Sequence, residues 1–127
     1  MPVSQIEDIH TEALSTGGAP GLLDWKLLVS AAEAPKATFD GRPLYGSLAE
    51  MAAVYAWGIA RNHPFVDGNK RTALITAVTF LELNGYKILV GPEWVDLMVR
   101  LASDPAFARQ ELVDAFARAM GHDEPVT

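Results

Sequence analysis

An all-α fold is what this sequence predicts: a compact bundle of about six helices with at most a small flap or hairpin. Three observations carry that reading. Apolar residues recur at helical spacing through successive stretches, above all residues 48–62 and 73–83. Helix-start signals precede such stretches, as at Ser47 with Glu50 and at Pro92. Glycine-containing stops close them, as at Gly17-Gly18 and Asn84-Gly85.

Taken in order, Ser4 with Glu7 has capping-box spacing ahead of Ile6, Ile9, His10, Ala13 and Leu14, which predicts a first helix ending at Thr16-Gly17-Gly18. The Gly17-Gly18-Ala19-Pro20-Gly21 run is a loop by composition. Asp24 then caps a short helix carrying Leu27, Leu28, Ala31 and Ala32 until Pro35 ends it. Thr38-Phe39, the turn dipeptide Asp40-Gly41 and Arg42-Pro43 predict a small hairpin or irregular flap, with Pro43 arguing against a central strand. Ser47 and Glu50 open a helix to about Asn62 with apolar groups on more than one side, so it is expected to be buried. After a polar interruption, residues 71–83 form a nearly all-apolar helix, and residues 86–90 are expected to be briefly extended. Pro92 starts a helix with Trp94, Val95, Leu97, Met98 and Leu101, and Ser103-Asp104-Pro105 starts a last one with Leu112, Val113, Phe116 and Met120, closed by Gly121.

A chain of 127 residues, 50% hydrophobic and 20% charged, is one domain by the usual prior and buries a core without staples. The expectation is a single domain over residues 1–121 and a flexible tail over residues 122–127. A net charge of −6 with dispersed Lys and Arg leaves no basic face for a phosphate backbone, so direct nucleic-acid binding is not expected. With no cysteine, and with His10, His63 and His122 lacking ligand spacing, neither a disulfide framework nor a zinc site is expected. An acidic N-terminal stretch without a basic region and apolar run is not a signal peptide, and no stretch approaches a membrane span. A cytoplasmic protein without membrane contact is the expected class. His10 is expected at the surface, and Trp25, Trp57 and Trp94 in core or half-buried packing.

The chemistry gathers in His63-Pro64-Phe65-Val66-Asp67-Gly68-Asn69-Lys70-Arg71-Thr72, between the two apolar helices. Pro64 makes helical conformation unfavourable at His63. A helix N-terminus carries partial positive charge and unpaired N–H groups, so Lys70 and Arg71 there oppose the macrodipole. That breach makes sense where an anion sits in the same place, with Gly68 permitting close backbone approach. Asp67 adds a hard oxygen beside the cradle, and Mg²⁺ is usually held by one or two carboxylates plus substrate phosphates. His63 brings the side chain type whose ordinary pKa suits a general base near neutrality. Phe65, between polar residues, most simply anchors the loop in the core. Singly, His63 reads as a helix-end partner and Asp67 and Asn69 as turn or cap residues; together in one short loop they read as a site for phosphoryl or nucleotidyl transfer.

The same residues resemble the signature of the Doc (death-on-curing) toxins, a branch of the Fic superfamily. Similarity extends to Gly17-Gly18-Ala19-Pro20-Gly21, Ala37-Thr38-Phe39, Leu48-Ala49-Glu50 and Leu83-Asn84-Gly85-Tyr86. The resemblance implies a Fic/Doc-like helical bundle and a toxin that transfers the γ-phosphate of ATP to elongation factor Tu, arresting translation. It implies His63 as the base, Asp67 as the Mg²⁺ ligand, and Gly68, Asn69, Lys70 and Arg71 as the phosphate-binding loop, with Lys70 and Arg71 also catalytic. Most Fic enzymes transfer AMP and have Gly where this chain has Lys70 and Arg where it has Leu74; AMP transfer is therefore the enzymatic alternative that these two positions disfavour. A catalytically silent antitoxin-binding module is the alternative of another class. The resemblance further implies control by a Phd-type antitoxin, because Ser47-Leu48-Ala49-Glu50 lacks the spacing of the inhibitory Ser/Thr-x-x-x-Glu helix.

Overall fold

Two helices dominate the architecture, and the other four helices each pack on one or both of them. The computed structural model describes residues 1–121; the tail expected over residues 122–127 lies outside them. In chain order the elements are α1 (Val3–Ala13), α2 (Trp25–Glu33), β1 (Thr38–Phe39), β2 (Arg42–Pro43), α3 (Leu48–Asn62), α4 (Asn69–Leu83), α5 (Pro92–Ser103) and α6 (Arg109–Ala119). Among the described residues the fold is thus six α-helices with one tiny hairpin, as the periodicity predicted.

α3 lies in the centre because it can be buried all round: Ala49, Ala52, Ala53, Val54, Tyr55, Ala56, Gly58, Ile59 and Ala60 are all buried. Small side chains let neighbours approach closely. A Cβ on Gly58 would come within 3.1 Å of the Ala31 side chain, so glycine there is what lets α2 close on α3. α4 packs along α3 through Ala73, Ala77 and Leu81, and α5 and α6 complete the core with Trp94, Leu97, Leu101, Leu112 and Phe116. Arg61 at the end of α3 donates to the Leu101 and Asp104 carbonyls at 2.6 and 2.8 Å, satisfying the exposed end of α5.

The helix ends show local chemistry acting where expected. Ser47 Oγ accepts the Glu50 N–H at 3.1 Å and Asp24 Oδ1 accepts the Leu27 N–H at 3.1 Å. α4 ends in a Schellman arrangement: Tyr86 N–H donates to the Leu81 carbonyl at 2.9 Å and Gly85 N–H to that of Glu82 at 3.0 Å, with Gly85 at φ 93°. In the hairpin, Thr38 pairs with Pro43 and Phe39 with Arg42, across Asp40 and Gly41, both at positive φ.

Four expectations about the fold are corrected. α1 starts at Val3 with Pro2 as its N-cap, its carbonyl taking the Gln5 N–H at 3.1 Å, so Ser4 lies inside the helix and forms no capping box. α4 starts at Asn69, two residues earlier than predicted, placing Asn69 and Lys70 within its first turn. Asp104 does not open α6; its carboxylate accepts the Ala106 N–H at 2.9 Å in a side-chain turn, and the helix begins at Arg109. Trp25 is 52% exposed, at the surface-facing start of α2, whereas Trp57 is half-buried and Trp94 buried.

Candidate active site

α3 and α4 are joined by residues 63–68, a connection so short that it must reverse the chain abruptly. His63 caps α3 in the left-handed region at φ 48°, ψ 59°, which ends the helix and throws the imidazole to the surface. Pro64 and Phe65 then turn inward and are buried. Gly68 is the N-cap of α4 at φ 77°, a conformation that favours glycine, and a Cβ there would press on the Leu14 side chain at 3.0 Å.

Asn69 holds this reversal together. Its Oδ1 accepts the Phe65 N–H at 3.0 Å and its Nδ2 donates to the Phe65 carbonyl at 2.8 Å, closing a ring of buried bonds across the loop. Those two partners fix which way round the amide lies. The remaining Nδ2 hydrogen faces His63 Nδ1 at 3.3 Å. The partners thus assign the lone pair of the neutral ring to Nδ1 and its proton to Nε2. A base acting through Nε2 requires the other tautomer, and the length of this contact marks it as readily given up. The Asn69 side chain is committed to the loop, so what it offers an anion is its main-chain N–H.

Asp67 is exposed, with both carboxylate oxygens against backbone donors: Gly68 N–H at 2.8 Å on Oδ1 and Ala19 N–H at 3.2 Å on Oδ2. These bonds, to Ala19 first and then Gly68, together with the nearby charges of Arg71 and Lys70, hold its pKa below the ordinary carboxylate value. It is therefore an anion with lone pairs still facing solvent. Arg71 reaches back to the N-terminal segment, donating to the Ala13 carbonyl at 2.7 Å, Thr16 Oγ1 at 3.1 Å and the Gly17 carbonyl at 3.3 Å. Lys70 is exposed in the first turn of α4. One turn on, Leu74 is buried in the core.

Residues 17–24 pack against this loop. Pro64's carbonyl accepts from Leu23 at 2.7 Å and Asp24 at 3.2 Å, and Val66 N–H donates to Gly21 at 3.0 Å, so the two loops are sewn together backbone to backbone. His10, expected at the surface, is only 6% exposed and lies beneath the loop. Its Nε2 meets the Asp67 carbonyl at 2.8 Å and its ring stacks on Phe65 at 3.7 Å, 6° from parallel. It is the site-region residue that sequence reasoning missed: its partners are distant in the chain, and a histidine on an amphipathic helix gives no sign of which way it faces.

Together His63, Val66, Asp67, Gly68, Asn69, Lys70 and Arg71 line a cleft of about 300 Å³ at the N-terminus of α4. The first N–H groups of that helix have no partners within it and open on the cleft, so an anion is the natural occupant. Among the described residues no group of three or more His, Asp and Glu side chains stands ready to hold a metal ion. One ionised carboxylate beside an anion cradle fits Mg²⁺ shared with a nucleotide's phosphates better than a cage built by protein alone.

Comparison with known proteins places the chain in a family. A family model described as the Fic/DOC family matches residues 1–81, an extent covering α1 through most of α4 and the residues that line the cleft. The chain belongs to the Fic/Doc family. It is similar to a Toxin Doc of Mycolicibacterium smegmatis, 42% identical over 83 residues, which are 65% of this chain and 64% of that protein. It is also similar to the Protein kinase doc of Escherichia phage P1, 35% identical over 111 residues, 85% of this chain and 84% of that one. Within the family this is a Doc-type chain, and among its described residues no helix is long and apolar enough to cross a membrane.

Proposed function

We propose that this Doc-type chain is the toxin of a toxin-antitoxin pair and transfers the γ-phosphate of ATP to a hydroxyl of a translation factor, with elongation factor Tu the expected target and a Phd-type antitoxin the expected partner. The observation that supports the reading most directly is one cleft at the start of α4 that brings together an exposed imidazole, an ionised carboxylate, Lys70 and free helix N–H groups. The name of the phage P1 relative, a protein kinase, points the same way.

In this reading His63 takes the proton of the target hydroxyl as the new O–P bond forms, while the bond from the γ-phosphorus to the bridging oxygen breaks and ADP leaves. Lys70, Arg71 and the main-chain N–H groups of residues 69–71 hold the phosphate oxygens, drawing on charge placed in advance and not on covalent chemistry. Mg²⁺, held by Asp67 and the phosphates, would neutralise charge between them. For Arg71 to turn to phosphate, its contacts with Ala13, Thr16 and Gly17 must loosen or be shared.

AMP transfer is the rival reaction. Lys70 at the mouth of the cleft and buried Leu74 in place of a second cation both disfavour it. Incubating the purified protein and elongation factor Tu with ATP labelled at the α or the γ phosphate separates the two: label passing from the γ position supports the kinase, and label from the α position refutes it. If His63→Ala halts growth as strongly as the unmodified chain when expressed without antitoxin, catalysis is not the basis of toxicity and a silent binding module is the better account.

A further inference from the structure

We propose that His10 is a positioning residue: by donating to the Asp67 carbonyl from below, it fixes the Asp67-Gly68 peptide so that the Gly68 N–H points into the phosphate cleft. The inference rests on the reading of that cleft as a nucleotide phosphate site.

The carbonyl and N–H of one trans peptide point in opposite directions. The Asp67 carbonyl meets His10 Nε2 at 2.8 Å on the buried side, so the Gly68 N–H faces the other way, where Asp67 Oδ1 accepts it at 2.8 Å. Within the loop the orientation is held only by that Asp67 carboxylate, an exposed side chain able to turn away. Gly68 sits at φ 77°, and glycine takes either sign of φ at little cost, so this peptide could turn over without the clash that would stop it elsewhere. A turned peptide would present a carbonyl oxygen to an anion in place of an N–H. A lock that persists when the carboxylate turns to another partner has to come from outside the loop, and the His10 contact is placed to supply it.

His10 is well suited to that task because its own ring cannot wander. Stacking on Phe65 at 3.7 Å and 6° sets the plane of the imidazole, and burial to 6% exposure excludes water as a competing partner. Phe65 is in turn held at both backbone polar groups by Asn69. A Cβ on Gly68 would lie 3.7 Å from both His10 Cδ2 and Nε2, so the ring sits directly under the residue whose orientation it governs. Because a carbonyl can only accept, the contact assigns a hydrogen to Nε2. An aromatic ring that merely filled space would stack on Phe65 equally well; what it could not do is donate.

That difference defines the test. His10→Phe keeps the stacked ring and removes the donor, whereas His10→Gln gives up the ring and keeps an N–H of similar reach. In the full chain with Mg-ATP, His10→Phe is expected to weaken ATP affinity about tenfold, the scale of one lost hydrogen bond, and to slow phosphate transfer at least as much. His10→Gln is expected to recover most of the affinity, even where its melting temperature falls below that of His10→Phe. Equal ATP affinity and transfer in a folded His10→Phe, or a His10→Gln no better than it, overturns the proposal. Should the unmodified chain bind no ATP, it is the nucleotide reading that fails. The positioning role is then judged by the Gly68 HN–Hα couplings, which report its φ and are insensitive to the ring: they are expected to change in His10→Phe and stay near their native values in His10→Gln, and couplings unmoved in His10→Phe, or changed as much in His10→Gln, refute it.

Discussion

Replacing Asn69 by alanine removes the brace of the α3–α4 reversal, and the structure sets the size of the effect. Phe65 N–H and Phe65 C=O both lie within a residue that is 3% exposed, and both are partnered by the Asn69 amide, itself 6% exposed. Each buried polar group left without a partner costs about 1–3 kcal/mol, so two of them bring the loss to about 2–6 kcal/mol. Alanine's better helix propensity in the first turn of α4 returns about 0.5 kcal/mol. In a domain of this size about 1 kcal/mol moves the melting temperature by roughly 3–5 °C, so a drop of at least roughly 4 °C is expected. Urea unfolding at pH 7 is the assay, with an unchanged dependence on denaturant as evidence that the same two states are compared. Asn69→Asp sharpens it: the carboxylate can still accept from Phe65 N–H but must face the Phe65 carbonyl without a proton to give, so it should be no less damaging than alanine despite its matched shape. A loss under about 0.5 kcal/mol for Asn69→Ala, the range of an ordinary surface substitution, would refute the reasoning.

Arg71→Lys should raise amide hydrogen exchange across residues 14–18, because one ammonium cannot reproduce the fork that reaches the Ala13 and Gly17 carbonyls and Thr16 Oγ1; unchanged exchange there would make the fork dispensable. Gly68→Ala should destabilise by at least about 1 kcal/mol, since an alanine at φ 77° is strained and its Cβ meets Leu14 at 3.0 Å; chemical denaturation measures it. Asp67 has a depressed pKa in the folded chain, so its stabilising contribution is complete above the ordinary carboxylate value near 4 and is lost as pH falls through the lower folded value. The melting curves of the native chain and Asp67→Asn should therefore differ at pH 6 and converge by about pH 2, and a constant gap would contradict the assignment.

What was legible in the sequence and what was not divides by the length of chain over which each feature acts. Ser47 with Glu50, Asp24, the Asp40-Gly41 turn and Asn84-Gly85 each act within a few residues, so their chemistry can be read as written. Ser4 with Glu7 has the same spacing as Ser47 with Glu50, yet forms no cap, because Pro2 already serves as N-cap and Met1's amino group is drawn to the Tyr55 hydroxyl at 2.8 Å. Asp104 has the right residue type for a helix start but spends its carboxylate on a turn. In the site, the clustering of His63, Asp67, Gly68, Asn69, Lys70 and Arg71 was plain from adjacency alone. Which partners those side chains choose was not. Arg71 binds atoms more than fifty residues away, and His10 and Asp67 are 57 residues apart, distances that only the packing of α1 against α4 closes.

The segment from Ala13 to Ala19 is gripped from two sides, by the Arg71 guanidinium on its carbonyls and hydroxyl and by the Asp67 carboxylate on its Ala19 N–H. Since the same two side chains front the cleft, order in that segment and occupancy of the cleft are linked equilibria. Whatever free energy a bound anion or cation takes from those contacts appears as loosening of the segment, and anything that clasps the segment changes affinity in the cleft by the same factor.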